Sequence, residues 1–154
     1  MIERKRTECI IIHCSDSKFG DANIIREWHI KRGWRDIGYH FVILNGVIQF
    51  GTECVDELDG IVEVGRSLMD TGAHCKGYNA KSIGICLIGV ESFTPNQLVS
   101  LRELVQDIQK QFNDLKIYGH YELDDKKTCP NIDMDWLRNY NFAGKRVLRR
   151  SNAS

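Results

Sequence analysis

Between Gly119 and Pro130 the chain reads Gly-His-Tyr-Glu-Leu-Asp-Asp-Lys-Lys-Thr-Cys-Pro, which puts an imidazole (His120), two ammonium groups (Lys126, Lys127) and a thiol (Cys129) within ten residues. Imidazole and thiolate together suit zinc among the common metals. Two ligands do not make a site, and the best third candidate is His13, at the end of the apolar run Cys9-Ile10-Ile11-Ile12. Two histidines and one cysteine leave one tetrahedral position open, the arrangement of a catalytic rather than a structural zinc site. Spacing does not settle the pairing. Taken alone, His13 reads first as a histidine satisfied by hydrogen bonds at a strand end, and the long gap to His120 hides any local pattern.

These residues need elements to hold them. The β-branched run at residues 9–13 predicts a buried strand, with Cys9, Ile11 and His13 on one face and Ile10 and Ile12 on the other. Asp21 or Asn23 can cap a helix from about Ile24 to Arg32, with Ile24, Ile25 and Trp28 on its apolar face and Gly33 past its end. A strand over Gly38–Leu44 leads into Asn45-Gly46, a two-residue hairpin signal, with Val47–Phe50 returning. A second turn signal at Asp59-Gly60 predicts a second hairpin, and residues 72–80 predict a glycine-punctuated loop. Ser82–Val90 reads as a central strand. Thr94-Pro95-Asn96-Gln97 is a capping box opening a helix whose stripe of Leu98, Leu101, Leu104, Val105, Ile108 and Phe112 faces the core. Leu115–Tyr118 is a short strand that ends on His120's threshold, and Asp133 can cap a last helix through Trp136, Leu137 and Tyr140. Strands interleaved with helices predict an α/β fold, a mixed central β-sheet flanked by helices.

At 154 residues the chain suits one domain, residues 1–154, with an ordered core over 8–142 and a flexible basic tail over 143–154 that carries Lys145, Arg146, Arg149 and Arg150. Lys plus Arg and Asp plus Glu each number 21, so the balance carries no electrostatic footprint for nucleic acid. The six cysteines show no C-x-x-C spacing, which argues for a reducing compartment rather than a disulfide framework. The apolar run after the charged N-terminus is shorter than the roughly 7 to 15 residues of a signal-peptide core. No run approaches the roughly 18 residues of a membrane span.

In combination and in order, five blocks resemble the zinc amidases of the peptidoglycan-recognition superfamily, the type 2 amidases. They are Ile11-Ile12-His13-Cys14-Ser15, Gly33-Trp34-Arg35-Asp36-Ile37-Gly38-Tyr39-His40-Phe41, the segment Gly72 to Asn79, the segment Ser82 to Gly89, and the His120 to Pro130 loop. The resemblance runs over almost the whole chain. It implies a peptidoglycan-recognition fold and one zinc ion held by His13, His120 and Cys129. It also implies hydrolysis of the amide between N-acetylmuramic acid and L-alanine in peptidoglycan, with Tyr39 and Lys127 as the catalytic side chains. Family spacing selects Lys127 over Lys126, because in an extended backbone Lys127 and Cys129 point the same way. His74, Asn79 and Trp34 match positions of the family's substrate groove, and His74 and Asn79 read equally as loop residues bonded to their own backbone. His29 and His40 read as structural, and Cys14 as packing turned away from His13.

The expected setting is that of a phage or prophage endolysin: a monomer made in the host cytoplasm without a signal peptide, reaching the wall after the membrane is permeabilised. Two other classes remain open, a non-catalytic peptidoglycan-recognition module and a regulator that binds RNA polymerase, as a phage member of the family does. Recognition-only members tend to lose a ligand at the position of Cys129, and here it is kept. Two departures stand out. The stretch from Tyr39 to Arg66 is longer than the single hairpin of the phage members, which predicts an added hairpin of structural role. The loop from His120 to Cys129 is also slightly longer.

Overall fold

The computed structural model describes residues 2–142. Three consecutive isoleucines, Ile10, Ile11 and Ile12, are completely buried, as a strand covered on both faces requires. They form β1 (Cys9–Cys14). After helix α1 (Ala22–Lys31) come β2 (Phe41–Ile43), β3 (Val62–Val64) and β4 (Ser82–Leu87). Helix α2 (Pro95–Gln111), strand β5 (Lys116–Gly119) and the short helices α3 (His120–Leu123) and α4 (Met134–Trp136) complete the order. The five strands line up as β3-β2-β4-β1-β5. Strand β1 runs parallel to both its neighbours, β2 runs parallel to β4, and β3 alone is antiparallel. This is the mixed sheet flanked by helices that the sequence predicts.

The alternation expected for β1 holds. Ile10 and Ile12 join Ile83, Ile85, Leu101, Val105 and Ile108 in one cluster, so this face packs on α2. Ile11 and Cys9 lie on the other face against Cys75, while Val42 and Cys86 meet Ala22 and Ile25 of α1. Burying each of these isoleucines contributes about 1.5–3 kcal/mol. His13 pairs in register with Cys86 and therefore sits on the α1 face, at the carboxyl end of the parallel strands, where α/β sheets build their sites.

Helix α2 starts as expected: the Thr94 hydroxyl accepts from the Gln97 N–H at 3.0 Å, and Gln97 Oε1 accepts from the Thr94 N–H at 2.9 Å. The same buried Gln97 donates from Nε2 to the carbonyls of Ile43 and Ile88, which ties the helix to the ends of β2 and β4. Helix α1 begins at Ala22 rather than Ile24, because the Asp21 carboxylate takes the Ile24 N–H at 2.8 Å. Arg32 closes it and Gly33 follows at φ +90°, as a C′ glycine should.

The paired-hairpin expectation is corrected. One hairpin forms, with Phe41, Val42 and Ile43 opposite Val64, Glu63 and Val62. Leu44 extends that ladder to Ile61 and Gly60. Residues 45–59 are an excursion between its strands: Val47–Phe50 makes no strand, and Asp56–Leu58 is one 3₁₀ turn. The reason is competition for backbone groups. The Val47 carbonyl accepts from Gly20 and the Asn45 side chain from outside the hairpin donates to the Lys18 carbonyl, so the Asn45-Gly46 turn is held against the 18–20 loop.

The ordered body also starts earlier than residue 8. Arg4 is buried, its N–H donates to the Met69 carbonyl at 2.6 Å, and Glu3 bridges Asp70. At the other end Asp133 caps α4 as predicted, and the chain continues as a wider π turn over Leu137–Asn141. The basic tail predicted for 143–154 lies outside the described residues. All six cysteines are free thiols. Among the described residues no helix is long and apolar enough to cross a membrane.

Candidate metal centre

Three segments distant in sequence meet at the carboxyl end of the sheet. β1 delivers His13; β5 passes at Gly119 into α3, whose first residue is His120; the loop after α3 returns Cys129. Gly119 is required at this junction, since a Cβ there would stand 2.7 Å from Met134 Cγ and 3.0 Å from Pro130 Cδ. Glu122 fixes the junction from the other side. Its Oε1 accepts from the Gly119 N–H at 2.9 Å and pairs with Arg138 at 2.7 Å, and this guanidinium holds its carboxyl below the usual range. The Tyr121 N–H donates to the Cys129 carbonyl at 3.0 Å, so the return of the loop is tied to the helix that carries His120. The Cys129–Pro130 peptide is cis.

One ligand atom each from His13, His120 and Cys129 lies within 4.8 Å of the others. Cys129 Sγ is 3.4 Å from His120 Nδ1 and 3.9 Å from His13 Nδ1. These separations fit a tetrahedral ion, whose bonds of about 2.0–2.3 Å set its ligands between 3 and 4 Å apart. The other nitrogen of His13, Nε2, is 2.8 Å from His74 Nδ1. The Cys129 thiol is pushed well below its ordinary value, first by the neighbouring Cys14 and then by the two imidazoles at its sulfur. Burial pushes His13 and His74 below the ordinary imidazole value, which keeps both rings neutral.

Tyr39 and Lys127 flank this group. The Tyr39 ring centroid is 5.0 Å from that of His13, and burial pushes its phenol well up, so the hydroxyl stays protonated. Lys127 is exposed and stands in the turn closed by its own N–H to the Asp124 carbonyl. Tyr39, His120 and Lys127 line two adjoining clefts of about 330 and 470 Å³, one toward Cys14 and Asn131, the other toward Trp34, His74 and Asn79. Volumes of this size hold a small-molecule or polymer fragment.

The three groove residues named from the sequence behave differently. Trp34 is 38 % exposed, packs at a tilt against His29 with ring centroids 4.5 Å apart, and lines the cleft. Asn79 lines the cleft, but its Oδ1 accepts the N–H groups of His74 and Cys75 at 2.8 and 2.9 Å, which shapes the 72–80 loop. His74 is buried, with Nδ1 on His13 and Nε2 3.3 Å from Ser82 Oγ, so both its nitrogens are engaged inside the protein. His40 is structural, as expected: Nδ1 accepts from the Gly84 N–H and Nε2 donates to the Asp70 carbonyl. His29 accepts the Gly38 N–H on Nδ1 at 2.9 Å, and its ring also lines both clefts.

Cys14 was missed as part of this region. The sequence assigns it to packing by strand alternation, yet its thiol takes a contact of 3.7 Å from Asn131 Nδ2 and lines the same cleft as Cys129. Alternation describes the strand itself and says nothing of Cys129 and Asn131, which the loop after α3 brings to the end of β1. The adjacency of a cysteine to a candidate ligand at a strand terminus was the available signal.

Known proteins resemble this chain in sequence and in fold. An endolysin of Escherichia phage T7 is 36% identical over 151 residues, which span 89% of this chain and 90% of that protein. The solved structure of the N-acetylmuramoyl-L-alanine amidase LysC from Clostridium intestinale URNW matches with a TM-score of 0.73 at 27% identity, over 86% of this chain and 83% of that one. Drosophila PGRP-LB matches with a TM-score of 0.66 at 26% identity, over 84% and 81% of the two chains. Residues 3–132 match the profile of one family, described as N-acetylmuramoyl-L-alanine amidase, and the chain belongs to that family.

Proposed function

We propose that this protein is a zinc amidase that hydrolyses the bond between N-acetylmuramic acid and L-alanine in bacterial peptidoglycan, working as a phage endolysin. The observation that carries the reading is the convergence of His13, His120 and Cys129, with His120 and Cys129 lining an open cleft beside Tyr39 and Lys127. Two imidazoles and a cysteine sulfur are a zinc donor set, and three protein ligands leave a position open for chemistry. A zinc ion held there supplies Lewis acidity, bringing the pKa of water toward neutrality and polarising a carbonyl oxygen.

The chain's own groups do the rest. Lys127 offers an ammonium at the cleft, where negative charge develops on the carbonyl oxygen as the amide is attacked. Tyr39, kept protonated by burial, donates a hydrogen bond at the same oxygen or to the attacking water. Trp34 offers an aromatic face for a sugar ring or the stem peptide at the far end of the groove, and Asn79 holds that wall of the groove in shape. Residues 1–154 form a single amidase domain acting as a monomer. It accumulates in the host cytoplasm and reaches the wall once the membrane is opened.

The test is digestion of purified sacculi with and without a zinc chelator, measuring released amino groups and reducing sugars separately. New amino groups without new reducing ends, abolished by the chelator and restored by zinc, is the expected result. Release of reducing sugars would make the protein a glycosidase. Retained binding to sacculi with no release of either would make it a recognition module.

A further inference from the structure

The ring of His74 packs over two glycines that leave it room. A Cβ on Gly84 of the central strand would stand 2.6 Å from His74 Cγ, and one on Gly72 would stand 2.7 Å from His74 Cδ2. There each nitrogen has one partner. Nε2 meets Ser82 Oγ at 3.3 Å, and Nδ1 meets His13 Nε2 at 2.8 Å.

The protons along this chain can be placed from its far end. The Ser82 hydroxyl lies 2.7 Å from the Tyr78 carbonyl, which can only accept, so the hydroxyl proton is spent there. Ser82 Oγ must therefore accept from His74, which puts the proton of that ring on Nε2. On the metal reading His13 binds through Nδ1, so its own proton is on Nε2, 2.8 Å from His74 Nδ1, and that nitrogen accepts it. The lone pair of His13 is then on Nδ1, the atom that faces Cys129 Sγ.

We propose that His74 is a positioning residue: the relay from the Tyr78 carbonyl through Ser82 and His74 fixes His13 as an Nδ1 donor and holds its ring in place for the metal. The inference rests on the metal reading given above. It replaces a substrate-contact role for His74, whose nitrogens have no hydrogen-bonding capacity left for a ligand. Partners of this kind fix both the tautomer and the orientation of ligating histidines, and their loss typically lowers metal affinity by about 10- to 100-fold.

Two measurements test it on the full-length protein. The first needs no substitution: long-range proton–nitrogen correlation spectra of the zinc-loaded protein report which nitrogen of each histidine carries a proton. The relay requires Nε2–H on both His13 and His74; a proton on Nδ1 of either ring overturns it. The second compares zinc affinity, by competition with a chelator, in wild type, His74→Phe and His74→Asn. Phe fills that space but accepts no hydrogen bond, so affinity should fall by about 10- to 100-fold. Asn offers an oxygen close to the position of Nδ1, so it should recover most of that loss. Folded His74→Phe protein that binds zinc as wild type does, or an Asn variant as weak as Phe, would overturn the proposal. Failure of the wild-type protein to bind zinc at all would instead remove the metal reading itself.

Discussion

His120 Nδ1 lies 3.4 Å from Cys129 Sγ, although the two stand nine positions apart in the chain. The turn that brings them together is short and closed by backbone: α3 carries His120, the Lys127 N–H closes the loop onto the Asp124 carbonyl, and the Tyr121 N–H receives Cys129 back. Lys127 therefore belongs to the loop without being one of the donors, and the two functions should separate on mutation.

His120→Ala and Cys129→Ser should lose stoichiometric zinc, whereas Lys127→Ala and Tyr39→Phe should keep it. The latter pair should lower kcat by about 10²- to 10³-fold, the usual cost of removing a group that stabilises developing charge or positions a proton. Elemental analysis of the purified variants, set beside their turnover, checks this. Zinc lost from Lys127→Ala would show that the lysine holds the loop rather than serving the reaction.

Arg138→Ala should loosen the metal loop from a distance. Arg138 binds both oxygens of Glu122 at 2.7 and 2.9 Å and also the Ile117 carbonyl at 2.9 Å, so it clamps the β5–α3 junction from which His120 projects. The ion pair is partly exposed, so its contribution to stability is modest, about 1 kcal/mol. Zinc dissociation, followed with a colorimetric chelator, should accelerate more than the small drop in stability accounts for. An unchanged dissociation rate would show that the junction holds His120 without it.

Stability should fall as pH drops from 7 to 5. Burial depresses His40 to about 4, below the value near 6.5 of an unfolded histidine, so between those values the unfolded chain binds the extra proton. By linkage the stabilisation from its neutral form is complete above pH 6.5 and is lost as pH falls toward 4. For His40 this is about 2 kcal/mol between pH 7 and pH 5. Urea titrations of zinc-free protein at the two pH values measure it, and the slope should shrink in His40→Gln. Equal stability at both values would contradict the assignment.

Excising the excursion should spare activity. Residues 45–59 touch the 18–20 loop and the start of α2, where Asp59 accepts from Thr94 Oγ1, and they line neither cleft. Replacing residues 46–58 with a tight turn between β2 and β3 should leave kcat/KM on sacculi within a few-fold and cost stability instead. A large loss of activity in a folded protein would give the excursion a role in the substrate groove.

Much of this was legible in residue order. The isoleucine run, the Thr94–Gln97 box and the His120-to-Pro130 loop carry local signals strong enough that no tertiary contact overrides them. The hairpin at Asn45-Gly46 misled because a turn dipeptide specifies a bend and not a partner: the Val47 carbonyl was taken by Gly20, a contact no local pattern encodes. The role of His74 was hidden for a similar reason. Its partners, His13 and Ser82, become neighbours only when β1 and β4 pair, and nothing in the 72–80 loop says which nitrogen faces which strand. Cys14 escaped because its neighbour Asn131 comes from a loop more than a hundred residues away, which strand alternation does not encode.

The central claim concerns which bond is cut. A defined glycan-linked muropeptide incubated with the zinc-loaded protein and analysed by mass spectrometry should yield an intact glycan ending in the free lactyl carboxylate, and a stem peptide with a free N-terminal L-alanine. Cleavage within the peptide or between the sugars, or a substrate left whole by protein with a full complement of zinc, would contradict it.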